Sequence, residues 1–209
     1  MMRTYLLAAT ALIFAAQANA AVQEAAKPAQ AAAAPVKPKI NQGQIKYNSI
    51  FPVNTPDSVL EPMLAEVGTW DADIELYVGD PANQPIRKKG VQTNRMVSSG
   101  RYMLNEMKYL DGTYEGTGLW GWDAFTNRYT GVWMDGSHYL VRHDIGYYNP
   151  DNHTFRWESD TMQPDGVTTR FRITQQFMGD KRTFQMDTMD AKTGEFRKLI
   201  FMTFTKRKA

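Results

Sequence analysis

The side chains that could do chemistry in this sequence are few and scattered. There are three histidines, His138, His143 and His153, and no cysteine. The histidines lack the i, i+2 or i, i+4 spacing by which one strand or helix presents two ligands to a metal. No metal, haem or other cofactor is therefore expected. His143 shares strand parity with Val141 and Ile145, so it is expected to face inward as a hydrogen-bonded core histidine. Asp71, Asp73 and Glu75 could chelate a cation or act as acid and base. They alternate with Trp70, Ala72 and Ile74, which have the stronger claim to the core, so the carboxylates read as a solvated face. Ser98, Ser99, Ser137 and Ser159 lie in no nucleophile-elbow context, so a serine hydrolase has no support and no catalytic residue is assigned. Asn152-His153-Thr154 has the form of a glycosylation sequon, discounted because the N-terminus looks like a bacterial export signal. Gly116-Thr117-Gly118-Leu119-Trp120-Gly121 has the G-x-G-x-x-G form. A dinucleotide site needs that motif between a strand and a helix. Here it lies inside a strand pattern, where glycine serves to bend the strand and to make room for neighbouring indoles.

More informative are polar residues placed in strands that should be buried. Tyr102, Leu104 and Glu106 share one face, as do Tyr129, Trp133 and Asp135. Arg170, Arg172 and Gln176 share a face opposite Phe171, Ile173 and Phe177. Two readings stay open, because strand register is not visible in one sequence. In one, the polar chains point outward and the aromatics fill the core. In the other, Glu106, Arg170 and Arg172 anchor a pocket walled by Trp120, Trp122 and Trp133. An arginine fork suits a carboxylate or phosphate, so that second pocket would hold an organic acid or other amphiphile.

These residues need elements to position them. Leu60, Met63, Leu64 and Val67 recur at i, i+3, i+4 and i+7, predicting a short helix over about 56–66 that Pro62 keeps irregular. After Gly68 the chain alternates with period 2 in ten runs, near 70–78, 90–98, 101–110, 114–123, 127–135, 138–148, 153–162, 167–178, 182–190 and 195–206. Turn signals such as Ser99-Gly100, Asp111-Gly112 and Asn149-Pro150 separate them. No further helix fits between the runs, so parallel βαβ units are excluded. The fold class is all-β: an antiparallel up-and-down barrel of about 8–10 strands with a short N-terminal helix. Closure protects the edges and every connection is local, which favours it over a two-sheet sandwich.

The N-terminus has a different composition. Arg3, an apolar run over 5–16 and Ala18-Asn19-Ala20 have the form of a cleavable export signal over 1–20. The run is too short to span a bilayer, which needs roughly 20 residues, so no transmembrane segment is expected in the mature chain. Residues 21–45 are rich in Ala, Pro and Lys and read as a disordered spacer. Residues 46–66 form a lead-in carrying the short helix, and 67–209 the barrel. The location implied is periplasmic or secreted. A net charge of +2 gives no reason to expect nucleic acid as a partner.

Val67-Gly68-Thr69-Trp70 after a short helix resembles the glycine-x-tryptophan opening of lipocalin-like (calycin) barrels. The resemblance implies that Trp70 plugs one barrel end and that a basic residue ending the last strand, Arg207 or its neighbour Lys206, covers it. An ordered series also resembles a bacterial family, domain of unknown function 1579. It comprises Gly68-Thr69-Trp70, Ser99-Gly100-Arg101-Tyr102 with Glu106, Tyr114-Glu115-Gly116 with Gly118, Gly121-Trp122-Asp123, and Tyr129 with Trp133-Met134-Asp135. That likeness spans roughly 60–207 and implies a fold without an activity.

Three functions remain open on the sequence alone: binding of a small amphiphilic molecule in the barrel, an enzyme acting in the same cavity, and an envelope protein with a filled core. Oligomeric state is not legible. The mature protein is expected to begin at Ala21 and to be recovered in a periplasmic extract. N-terminal sequencing of that fraction checks this, and an intact Met1 would overturn it.

Overall fold

A computed structural model describes residues 57–78, 84–137, 140–162 and 166–208. The expected signal, spacer and first part of the lead-in lie outside the described residues, as does His138. A 3-10 turn, η1 (Asp57–Leu60), runs into the short helix α1 (Glu61–Glu66). Pro62 sits in the first turn of α1, where its missing N–H costs nothing.

Ten strands follow: β1 (Gly68–Leu76), β2 (Ile86–Val97), β3 (Tyr102–Tyr109), β4 (Glu115–Asp123), β5 (Arg128–Asp135), β6 (Val141–Asn149), β7 (Thr154–Met162), β8 (Thr168–Met178), β9 (Lys181–Met189) and β10 (Phe196–Lys206). Each pairs antiparallel with its sequence neighbour, and β10 returns to β1 to close the barrel. The expected all-β up-and-down barrel is thus the fold, at the upper end of the expected strand number. Among the described residues no helix is long and apolar enough to cross a membrane.

Alternation decides which face of each strand is inside. In β1, Trp70, Ala72 and Ile74 are buried, while Asp71 and Asp73 are exposed. The three carboxylates of this strand form outer-face ion pairs: Asp71 with Arg207 (2.6 Å), Asp73 with Lys89 (2.8 Å) and Glu75 with Arg87 (3.3 Å). One interruption re-aims a side chain. A bulge between Lys198 and Ile200 in β10 lets Leu199 and Ile200 both reach the interior.

The helix closes the end where β1 starts. Leu60 and Met63 pack on Met103, Tyr129, Phe155 and Trp157, and the Tyr129 hydroxyl donates to the Val59 carbonyl at 2.7 Å. The last carbonyls of a helix lack intrahelical donors, and here the barrel supplies them. Trp70 Nε1 and Asn94 Nδ2 both donate to the Glu66 carbonyl, at 2.8 and 3.0 Å. Gly68 then turns the chain into β1 at φ 132°, a conformation L side chains rarely adopt. A Cβ there would also lie 2.9 Å from Lys206 Cε.

Trp70, with none of its surface exposed, occupies this end of the barrel. Of the two basic residues expected as its cover, Lys206 lies over the indole and Arg207 does not. Arg207 reaches outward to Asp71. The cations over the indole are Arg182 from β9, with Cζ 5.0 Å from the ring centroid, and Lys206, with Nζ at 5.1 Å. Lys206 keeps the inner-face parity of Phe204, whereas Arg207 falls on the outer one.

Trp70→Ala deletes a large buried ring and should cost about 3–5 kcal/mol. Arg207→Ala removes only an exposed ion pair and should leave the urea midpoint nearly unchanged. Equilibrium unfolding in urea checks both, and equal effects would show that the division of roles is wrong.

Candidate functional site

Above the closed end the barrel keeps a cavity of about 260 Å³. Its walls are built on a pairing of indoles with glycines. Trp120 faces Gly131 across β4 and β5, Trp133 faces Gly118, and Trp157 faces Gly146 across β6 and β7. The rings lie where Cβ atoms would otherwise stand. A Cβ on Gly118 would come within 1.8 Å of Trp120, one on Gly131 within 2.0 Å of the same ring, and one on Gly146 within 2.4 Å of Trp157. The G-x-G-x-x-G series is therefore a seat for aromatic rings, as its position within a strand implied. Trp120 packs against Trp133 and Trp157, with centroids 5.9 and 6.4 Å away. Met107, Phe171, Ile173 and Met186 complete much of the apolar wall.

Two polar systems break this wall, and both involve a buried ion pair that the sequence reading missed. At the closed end Arg182, 1% exposed, donates to Glu66 from α1 at 2.5 Å. It also donates to Gln92, which in turn donates to Asn105. Burial pushes the Glu66 carboxyl above its ordinary range, and the guanidinium pulls the other way without reversing the shift. Higher in the barrel, Arg142 and Asp144 of β6 point inward, 9% and 1% exposed. Arg142 donates to both carboxylate oxygens, from Nε at 2.7 Å and from Nη2 at 2.9 Å, while Nη1 meets Met186 Sδ at 3.3 Å.

Toward the far end stand Tyr109, Tyr114 and Asp135. Trp133 Nε1 donates to the Tyr114 hydroxyl at 3.1 Å. Burial, reinforced by the Asp135 and Asp111 carboxylates, pushes Tyr109 up to about 12. Burial followed by Asp135 also raises Tyr114. Tyr129, near the closed end, is pushed by burial to about 12 as well.

The expected site residues divide. Trp120 and Trp133 line the cavity. Trp122 packs edge-on against Tyr129 at 4.9 Å, in the cluster beneath the helix and away from the cavity lining. Glu106, Arg170 and Arg172 are on the outer face, contrary to the anchoring reading. Their inner-facing neighbours, Asn105 and Met107 in β3 and Phe171 and Ile173 in β8, are the buried ones. Arg170 pairs with Asp160 at 2.8 Å, and Arg172 lies over Phe196 at 4.0 Å. Burying either guanidinium in place of its apolar neighbour would have left an ion in the core. His143 is exposed on the outer face of β6, not inward as expected. The exposed His153 turns the chain at φ 51°, its Nδ1 3.0 Å from the Tyr148 hydroxyl. Among the described residues no cluster of His, Asp and Glu has the makings of a metal site.

A family model described as protein of unknown function (DUF1579) matches residues 55–206. The chain belongs to this family. The match takes in the short helix and all ten strands of the DUF1579 barrel. Among solved structures, Rv2717c from M. tuberculosis is similar with a TM-score of 0.53 at 13% identity, covering 72% of this chain and 98% of that one. The S-type phycobiliprotein lyase CPES from Guillardia theta gives a TM-score of 0.44 at 13% identity, covering 71% and 92%. The first of these likenesses is one of fold and says nothing of what a DUF1579 barrel holds. No curated protein matches the chain.

The buried phenols give this interior a pH signature. A phenol whose folded value is raised keeps its proton where the unfolded chain has lost it. Its contribution to stability is complete below the ordinary value of about 10 and is lost as pH rises through the folded value. Of the ten tyrosines, Tyr109, Tyr114 and Tyr129 should therefore ionise only above about pH 10, together with unfolding. Phenolate absorbance followed alongside circular dichroism checks this. Full ionisation near pH 10 with the native spectrum retained would contradict it.

Proposed function

We propose that this barrel binds a small, largely apolar molecule bearing one polar group, and that it does so after export from the cytoplasm. The observation that carries the reading is the cavity. Its volume of about 260 Å³ is close to the lower end of ligand pockets, roughly 300–1,000 Å³, and its composition is theirs: aromatic and thioether walls with a few fixed polar groups. The interior guanidiniums are already paired with carboxylates, so the site is organised before any ligand arrives. The closed end is filled by the helix and by Trp70, which leaves the far end, near Tyr114, Asp135 and Leu140, as the approach. An organic acid held by Arg170 or Arg172 no longer belongs to this reading, because both lie outside the barrel.

The test is a titration with N-phenyl-1-naphthylamine, a neutral dye that fluoresces in apolar surroundings. Wild type should bind it saturably, with quenching of tryptophan emission from Trp120, Trp133 and Trp157. Ile200→Trp places an added ring on the cavity wall and should weaken binding at least tenfold while the far-ultraviolet spectrum is unchanged. Absence of saturable binding by wild type, or identical curves for the two proteins, would overturn the proposal.

A further inference from the structure

The floor of the cavity carries an amide whose direction is set from behind. Arg182 is held by the Glu66 carboxylate at 2.5 Å and by the faces of Trp70 and Phe204. Arginine has donors and no acceptor. Gln92 must therefore turn its side-chain oxygen toward Arg182, and it accepts there. Its nitrogen is then on the other side, where it donates to Asn105 Oδ1. With that oxygen claimed, Asn105 turns its Nδ2 away from the network. The oxygen and nitrogen positions of both amides thus follow from one cation.

Asn105 is 3% exposed and lines the cavity. Its Nδ2 has no hydrogen-bond partner among the described residues, and unlike Asn94 Oδ1 it is not sealed in. What opening it keeps is on the cavity. An amide nitrogen donates and cannot accept, so an acceptor is what this part of the chamber lacks. Buried donors are bonded in the great majority of cases.

Ions are poor occupants of that place. Among the described residues that line the cavity, Arg142 is the one base. Its Nε and Nη2 are spent on both oxygens of Asp144, and its Nη1 meets the Met186 sulfur. A ligand carboxylate would be buried without a cation of its own, which is strongly unfavourable. A ligand ammonium has no lone pair and would face Asn105 donor to donor. An uncharged oxygen avoids both penalties.

Resting on the binding reading above, we propose that Asn105 is the polar anchor of the cavity and donates to an uncharged oxygen on an otherwise apolar ligand. Arg182 and Gln92 are positioning residues: acting through them, the buried cation makes this anchor a donor. Gln175 on β8 offers a second amide in the cavity, its oxygen taken by Trp157 Nε1 at 2.9 Å. It is the less buried of the two, so its N–H gains less from a ligand oxygen, and it serves as the control.

The experiment lets 2-acetylnaphthalene, 2-ethylnaphthalene, 1-(2-naphthyl)ethylamine and 2-naphthoate each compete with N-phenyl-1-naphthylamine. The ketone accepts and cannot donate, and the hydrocarbon has nearly its shape. Wild type should favour the ketone over the hydrocarbon about fivefold, as expected for one neutral hydrogen bond, and should favour it over both ions. Asn105→Leu should bring the ketone-to-hydrocarbon ratio to about one. Gln92→Glu leaves Asn105 in place and reverses it. One oxygen of the new carboxylate accepts from Arg182, and the other draws Asn105 Nδ2 toward itself, so that Oδ1 faces the cavity. The ratio should then fall below one, and the amine should gain on the hydrocarbon. Loss of a merely structural contact at Gln92 would not produce that reversal. Gln175→Glu should keep the ratio within about twofold of wild type. A wild-type ratio of one or less, or tighter binding of either ion than of the ketone, would overturn the anchor. So would an unchanged ratio in folded Asn105→Leu or Gln92→Glu, or a loss in Gln175→Glu as large as in Asn105→Leu. If wild type binds the dye and the anchor fails, the cavity reading stands; if wild type does not bind the dye either, the cavity reading itself has failed.

Discussion

The contact between Arg182 and Glu66 fixes the closed end, and much of the interior is arranged around it. Neither group could sit there charged without the other, since removing one partner of a buried pair costs about 3–5 kcal/mol. That is a large share of the 5–15 kcal/mol by which a domain is ordinarily stable. Glu66 belongs to the short helix and Arg182 to β9, so the pair ties the lead-in segment to the barrel wall. The guanidinium also lies over Phe204, 4.1 Å from its centroid, and over Trp70. The indole that fills the barrel end and the helix that covers it are thus held by one cation. Through Gln92 the same arginine orients Asn105 at the cavity floor.

The second buried pair has a different character. Arg142 and Asp144 come from one strand, two residues apart, so the ion pair itself joins no two elements. A pair of this kind adds little stability beyond that of two apolar residues in the same space. What it supplies is a fixed donor edge in an apolar chamber, in a barrel whose other end is already closed.

Most of the architecture was legible in the sequence, and most of the site was not. The ten strands lie within a few residues of their expected ranges, because period-2 alternation and glycine turns are local signals. Trp70 was legible because Gly68 and the helix before it are local too. The anchoring residues depended on which face of each strand turns inward, and parity alone cannot say. In β8 the apolar face, Phe171 and Ile173, went inside, leaving Arg170 and Arg172 in solvent. In β6 the opposite happened. Val141, Ile145 and Tyr147 are about half exposed, while Arg142 and Asp144 are buried. A hydrophobicity argument that succeeds for β8 therefore fails for β6, where the charges neutralise each other. Adjacent opposite charges at i and i+2 were the one available signal. Glu66 and Arg182 stand 116 residues apart and left no local trace.

The exchange of side-chain volume between indoles and glycines restricts how this interior can change over generations. Gly118 can gain no carbon while Trp120 and Trp133 remain, and Gly131 none while Trp120 remains. A shrunken tryptophan, by contrast, opens space at once and leaves the glycines viable. The permitted order of substitution is one-way: ring first, glycine second. Descendants of this barrel would reach new chamber shapes through intermediates that are roomier than either end point. Those intermediates are the stage at which a new occupant is most easily admitted.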